Sequence, residues 1–309
     1  PRSTPKPSSA ASDVYKRQPG GHTGALLAGS SGGLWTLCQL STERETEISS
    51  ENAAKTGCWK QNLKSVLLSP IAMPTTKLPL FVLGPDFMPM SPAALRGFDP
   101  RYTQMMDDCI LDSKPFGYIT YDPDTEDIGG WTQPAKYGVL VEIEDYQESG
   151  SNIMINIISG RRFKSTQVIQ PVLENDVSGT HFPAVDELME KAENPVDGKL
   201  YLRCEAEVME PIVHNHDQQD FESFVGYISP LSNLIMVSCM YRGQQMDYED
   251  SVSSVDPQEQ ELFLWQVSAS LCSSVNVQQQ MLASVTTTEL MQVCIEAAND
   301  IIQVISEDE

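Results

Sequence analysis

The stretch at residues 78–121, LPLFVLGPDFMPMSPAALRGFDPRYTQMMDDCILDSKPFGYITY, constrains the fold more than any other. Leu78-Pro79-Leu80-Phe81-Val82-Leu83 is a short apolar run stopped by Gly84-Pro85, which predicts a buried strand ended by a turn. Asp99-Pro100 then predicts a helix start. The Asp side chain caps free N–H groups, and Pro fits the first helical position because it has no N–H to leave unpaired. Tyr102, Met105, Met106, Cys109 and Ile110 follow at the spacing of one apolar helix face. Asp112-Ser113-Lys114-Pro115 ends that helix, and Phe116-Gly117-Tyr118-Ile119-Thr120-Tyr121 reads as the next strand.

These residues carry a family resemblance. The L-P-L-F strand, the Pro-containing loop, the helix start Phe98-Asp99-Pro100-Arg101-Tyr102 and the following P-F-G strand resemble the N-terminal substrate-binding domain of Lon proteases. Ser159-Gly160-Arg161-Arg162-Phe163 resembles that family's G-x-x-R-F strand start, and Tyr201-Leu202-Arg203-Cys204-Glu205-Ala206-Glu207-Val208 resembles its Y-L-x-A-E-V strand. The similarity runs over residues 77–305. The chain departs from the family at one place. Where the family has a P-G turn and an apolar L-R-I-F, this chain has Met88-Pro89-Met90-Ser91-Pro92 and then Leu95-Arg96-Gly97-Phe98. The resemblance implies an α+β protein, a PUA-like antiparallel β pseudo-barrel followed by a C-terminal helical bundle. It implies the work of a stand-alone recognition domain that binds protein or unfolded peptide segments, as an adaptor in protein quality control.

Along the chain, residues 1–18 read as a sequencing scar. Asp13-Val14-Tyr15-Lys16-Arg17-Gln18 resembles a translated transposase-adapter end. Residues 19–76 read as a disordered or non-native segment. All 13 Met residues lie at or after Met73, which is the expected native start. A targeting peptide is the rival, but Glu43, Glu45, Glu47 and Glu51 spoil the acid-poor pattern of a transit signal. Residues 77–213 give strand signals: 137–146, 152–158, 162–170 and 200–208, with turns expected at 148–151 and at Ser159-Gly160. A polar insertion with a short helix at 184–193 is expected between the last two strands. Residues 214–309 switch to helical periodicity, interrupted at Pro230 and by an acidic, Ser-rich linker at 247–255. Asp256-Pro257 and the capping box Thr286-x-x-Glu289 mark helix starts, and a short helix is expected at 276–283 before an acidic tail.

Composition limits the partners. The net charge is −23, and residues 1–72 carry eight Lys/Arg against five Asp/Glu, so the acidity lies downstream. Such a surface repels nucleic-acid phosphates and anionic lipid. No apolar run reaches the ~20 residues that span a bilayer. The seven Cys are scattered with no C-x-x-C pair, and there is no N-x-[ST] sequon. Both point to a reducing intracellular compartment, the cytoplasm before a plastid or mitochondrion.

Enzyme chemistry finds little footing. A Lon ATPase needs a phosphate-cradling loop and a Lon peptidase a Ser-Lys dyad, and neither is expected here. Lys164 and Ser165 would point to opposite strand faces. His214-Asn215-His216-Asp217 is the one metal-like cluster, with Asp217 or Asp220 as a third ligand, and would serve a small metal-dependent hydrolase as the rival function. The expectation is no catalytic residue, no cofactor and no metal. Arg101, in the first turn of the predicted helix, is expected to be structural. Phe87, Met88 and Met90 lie in a loop bounded by Pro85 and Pro92. They either fold back as a lid or stay exposed as an adaptable apolar docking loop with Trp131 beside it. The docking loop is the expected peptide-contact site.

Overall fold

The computed structural model describes residues 76–307 apart from 86, 98–99, 130, 150–151, 173–197 and 242–251. They fall in one compact unit, Ala54–Glu309. The expectations for the N-terminal 75 residues, for Phe98 and the Asp99 cap, and for a helix at 184–193 lie outside the described residues.

The first half is a mixed six-stranded sheet: β1 (Thr76–Leu83), β2 (Pro92–Gly97), β3 (Phe116–Tyr121), β4 (Pro134–Ser149), β5 (Asn152–Ile169) and β6 (Arg203–Val208). One helix, α1 (Pro100–Asp112), lies between β2 and β3. The strand order is β2-β5-β4-β3-β1-β6, and β6 pairs again with β5, so five strands form a closed circuit. The sequence predicts antiparallel pairing throughout, but one pair departs from it. β1 and β3 are parallel, with Leu80 opposite Gly117 and Leu83 opposite Thr120. The connection through α1 returns β3 in the same direction as β1, as a helical crossover does.

Side chains of successive strand residues point to opposite faces, and the core divides accordingly. Leu78, Leu80, Ile119, Leu140, Phe163, Cys204 and Ala206 form a small buried cluster with a member from every strand of the circuit. Phe81, Phe116, Tyr118, Val139, Val141, Ile155 and Ile157 belong to a larger cluster shared with the helices. Phe163 is fully buried at the centre of the small cluster. Its ring has room because two neighbouring strands carry glycine. A Cβ on Gly117 would lie 2.6 Å from that ring and 2.8 Å from Leu78, and one on Gly138 would lie 2.8 Å from the ring.

The sequence expectation of a turn at Ser159-Gly160 does not hold. β5 runs unbroken through both residues for 18 residues. Ser159 is a fastening point instead. Its Oγ donates to Met88 O (2.7 Å) and accepts from Ser91 N (2.8 Å), while its backbone bonds Met90 N and Ser91 O. The residues after β1 are therefore stitched along β5 and continue into β2, which pairs with β5 from Pro92↔Ile158 to Gly97↔Ile153. No strand was read at β2 from the sequence.

The helices are α2 (Gln218–Ile228), a 3-10 turn (Ser229–Leu231), α3 (Ser232–Tyr241), α4 (Pro257–Leu271), α5 (Val275–Ala283) and α6 (Thr287–Glu307). Pro230 sits in the 3-10 turn where the sequence breaks. Asp256 caps α4 by accepting from Gln258 N (3.0 Å), with Pro257 as its first residue. Thr286 and Glu289 form the reciprocal capping box of α6, each side chain bonded to the other's backbone N–H at 3.2 Å. The expected boundary at 213/214 is no break in the core, since Phe221, Phe263, Trp265 and Leu290 share one cluster with the sheet. Val213 itself donates to Val285 O (2.9 Å) and accepts from Thr287 N (3.0 Å).

Gly117→Ala should overpack the interior around Phe163 and cost about 1–3 kcal/mol in denaturant melts. Trimming the ring by a Phe163→Leu change in the same chain should recover part of that loss relative to the sum of the two single variants. A neutral Gly117→Ala variant would show that the Phe163 ring is not closely seated there.

Candidate functional site

The described surface has a cleft of about 280 Å³. It lies where the start of β1, the C-terminal half of α1 and β6 meet. Leu78, Leu140, Ala206 and Val208 line it from the small interior cluster, so its floor is the apolar mouth of the strand circuit. Asp108, Asp112, Lys114, Lys199 and Arg203 supply a charged lining.

The geometry of α1 sets that rim. Helix α1 ends with Ser113 in the left-handed region at φ 51°. Ser113 N donates to Ile110 O (3.2 Å) and Lys114 N to Cys109 O (3.0 Å). This is the Schellman ending, made with Ser where Gly is usual. The turn brings Lys114 Nζ to 2.9 Å from Asp112. Asp112 is held below the usual carboxylate range by that hydrogen bond, and Lys114 is raised by it. One turn back, Asp108 Oδ2 accepts from Tyr201 Oη (2.6 Å) and pairs with Lys199 (2.8 Å). Gln104 Oε1 accepts from Leu200 N (2.8 Å). These contacts tie the segment before β6 to α1 and hold the cleft's width.

Burial raises the Tyr201 phenol, and its hydrogen bond to Asp108 adds to that effect. Burial also pushes the thiols of Cys109, Cys204 and Cys294 up from 9.0 to about 12. For Cys109 the nearby Asp108 and Asp112 act in the same direction. Cys109 lines the cleft as a protonated, unreactive thiol.

The expected docking loop is corrected by the structure. Phe87, Met88 and Met90 are 8%, 0% and 5% exposed, and Trp131 is 6% exposed. Prolines predicted a loop, and the Ser159 stitch folds that loop inward. Phe87 packs on Tyr118 with ring centroids 4.6 Å apart, and Gln278 of α5 donates to Phe87 O (3.2 Å). Met90 takes the left-handed conformation, φ 59°. Its backbone pays the strain of a non-glycine residue there, and its buried side chain fills the core. Trp131 lies in the interior cluster with the Arg101 guanidinium stacked 4.5 Å from its ring centroid. Arg101 is itself buried and also faces Tyr102 at 5.9 Å. Tyr102 packs on Phe81 at 4.4 Å. Pro100 opens α1.

The metal cluster is taken apart in the same way. His216 has both ring nitrogens engaged, Nδ1 with Thr287 Oγ1 (2.6 Å) and Nε2 with Gln260 Oε1 (2.9 Å). Asp217 and Asp220 bond each other's backbone N–H as the capping box of α2. His214 pairs with Glu261 at 3.0 Å. Among the described residues no group of three metal-binding side chains converges, and no helix is long and apolar enough to cross a membrane. The cleft residues were missed from sequence because they come from four separated segments, 77–79, 108–115, 140 and 199–208. The β1–β3, β3–β4 and β1–β6 pairings, with the contacts of α1 to 199–201, bring them together.

No family model matches the chain, and no curated protein matches it. Solved structures similar to it include two Lon N-terminal domains. The Lon N-terminal domain protein from Xanthomonas campestris has a TM-score of 0.42 and 18% identity, covering 71% of this chain and 96% of that one. The N-terminal domain of Mycobacterium avium complex Lon protease has a TM-score of 0.42 and 14% identity, covering 73% and 99%.

Replacing Phe87, Met88 and Met90 together by Ser should abolish cooperative folding, because deletion of a single buried Met side chain already costs ~2–5 kcal/mol. Retained stability would return these residues to the surface. Stability should also fall as pH rises from 9.0 to about 12, since the unfolded thiols ionise while the folded ones keep their protons. The contribution is fully present below pH 9.0. Denaturant melts of a Cys109→Ala variant across that range should show a shallower decline, and an equal slope would remove Cys109 from the account.

Proposed function

We propose that the chain is a non-enzymatic recognition module of the Lon N-terminal substrate-binding kind, built as a PUA-like pseudo-barrel with a C-terminal helical bundle. It binds protein or unfolded peptide segments, serves as an adaptor in protein quality control and uses no cofactor. The observation that carries this reading is the cleft at the mouth of the strand circuit, apolar in its floor and charged at its rim. Such a site takes one apolar side chain of an extended segment while the rim holds the segment's polar backbone and neighbours. The motif residues lend support, because several of them build the walls. Leu78 belongs to L-P-L-F, Pro115 to P-F-G, and Tyr201 and Ala206 to Y-L-x-A-E-V. The rim charges are largely paired within the chain, so binding rests on apolar contact and shows only mild salt dependence.

The test uses a permanently unfolded client, a reduced and carboxymethylated globular protein. Val208 is half-buried at the cleft. Val208→Glu should weaken binding about tenfold, ~1.4 kcal/mol, with the melting temperature nearly kept. Unchanged affinity would move the site elsewhere, and absence of any binding by the unaltered chain would overturn the recognition reading.

A further inference from the structure

β5 is longer than the circuit needs. Its first half, at 153–158, pairs with β4 on one side and β2 on the other, so the three strands project as an arm beyond the closed ring. Among the described residues, no further strand pairs with either edge of this arm. Backbone N–H and C=O groups on a free edge accept a strand from another chain unless charge, a bulge or proline blunts them.

The two edges are treated differently. On the β4 side, a register shift falls between Ile143 and Asp145, and Glu142, Glu144, Asp145 and Glu148 crowd the strand. That edge is bulged and charged. On the β2 side, residues 93–95 are Ala-Ala-Leu, with no charge and no bulge. Pro92 and Arg96 guard only its ends. Ala94 is exposed, while Ala93 and Leu95 are half-buried against the main core. Among the described residues no backbone bond besides the pairing with β5 is made by residues 93–95.

We infer that the β2 edge is a second docking site, at which an extended, cationic segment of another protein adds a strand to the arm. Main-chain pairing with residues 93–95 supplies the attraction, and alternate apolar side chains of the segment lie beside Ala93 and Leu95. The net charge of −23 and the acidic row on β4, one strand beyond β5, favour a positively charged segment over an acidic one, with Arg96 the single cation on β2. The inference rests on the reading above only in taking a protein segment as ligand, and the site is distinct from the cleft.

The probe is an acetylated, amidated hexapeptide of alternating Val and Thr with Lys at both ends, added to the isotope-labelled full chain. Amide signals of residues 93–97 should shift and exchange more slowly with solvent. A peptide N-methylated along one edge should lose the effect, and one with Glu in place of Lys should bind several-fold more weakly. Shifts confined to residues 77–79 and 203–208 would overturn the edge site and leave the recognition reading standing. Equal binding by the N-methylated peptide would overturn main-chain pairing. No shift anywhere would overturn the edge site alone, because the unfolded client and the Val208 variant judge the recognition reading.

Discussion

Two consecutive residues of β5, Arg162 and Phe163, hold the two halves of this protein together. Adjacent strand residues face opposite ways, and here each face has its own core. Phe163 fills the interior of the strand circuit between Gly117 and Gly138. Arg162 points the other way, into the helices. Its guanidinium donates to Leu282 O (3.0 Å), Ser284 O and Glu210 O (3.3 Å) and stacks 5.5 Å from the Trp265 ring centroid. Burial lowers the affinity of Arg162 for its proton, and the nearby Glu261 partly offsets this. A guanidinium remains charged at such a site, so its bonds to carbonyls are what make the burial tolerable. Gln279 adds a second joint, accepting from Tyr137 N (2.8 Å) and donating to Tyr137 O (2.9 Å).

This joint explains where the functional surface lies. The helices and the loop of Phe87, Met88 and Met90 cover one face of the sheet. The interior is filled by Phe163 and closed off near Arg101 by Trp131. Among the described residues of the sheet, the mouth beside α1 and the arm beyond the ring are left open. Both sites proposed above for binding a protein segment lie on these two surfaces. The Met-rich loop, whose adaptable side chains suggested a docking surface, is buried instead.

Local signals in the sequence were reliable where the physics is local. β3 was legible to the residue, from Phe116 to Tyr121. The Asp256-Pro257 start and the Thr286/Glu289 box were legible because a cap is satisfied within one turn. The break at Pro230 was legible for the same reason. Failures came where distant partners decide. Residues 92–97 carry no β-branched side chain, and only pairing with Ile155 and Ile157 makes them a strand. Gly160 looked like a turn, yet the partner strands and the Ser159 stitch keep the chain extended. Loop prolines suggested exposure for Met88, but its backbone oxygen had a buried partner in Ser159. The parallel β1–β3 pair was within reach, because a strand, a helix and a strand in succession ordinarily return parallel.

The central claim is that the Arg162-Phe163 pair makes sheet and helices one cooperative unit with no boundary at 213/214. Trp131 reports on the strand interior and Trp265 on the helices. Denaturant unfolding of two variants, each retaining one of these tryptophans with the other Trp residues changed to Phe, tests it most directly. The account predicts coincident transitions at both probes, shifted together by Arg162→Lys. Separate midpoints in the unaltered background, or a shift at Trp265 alone, would contradict it.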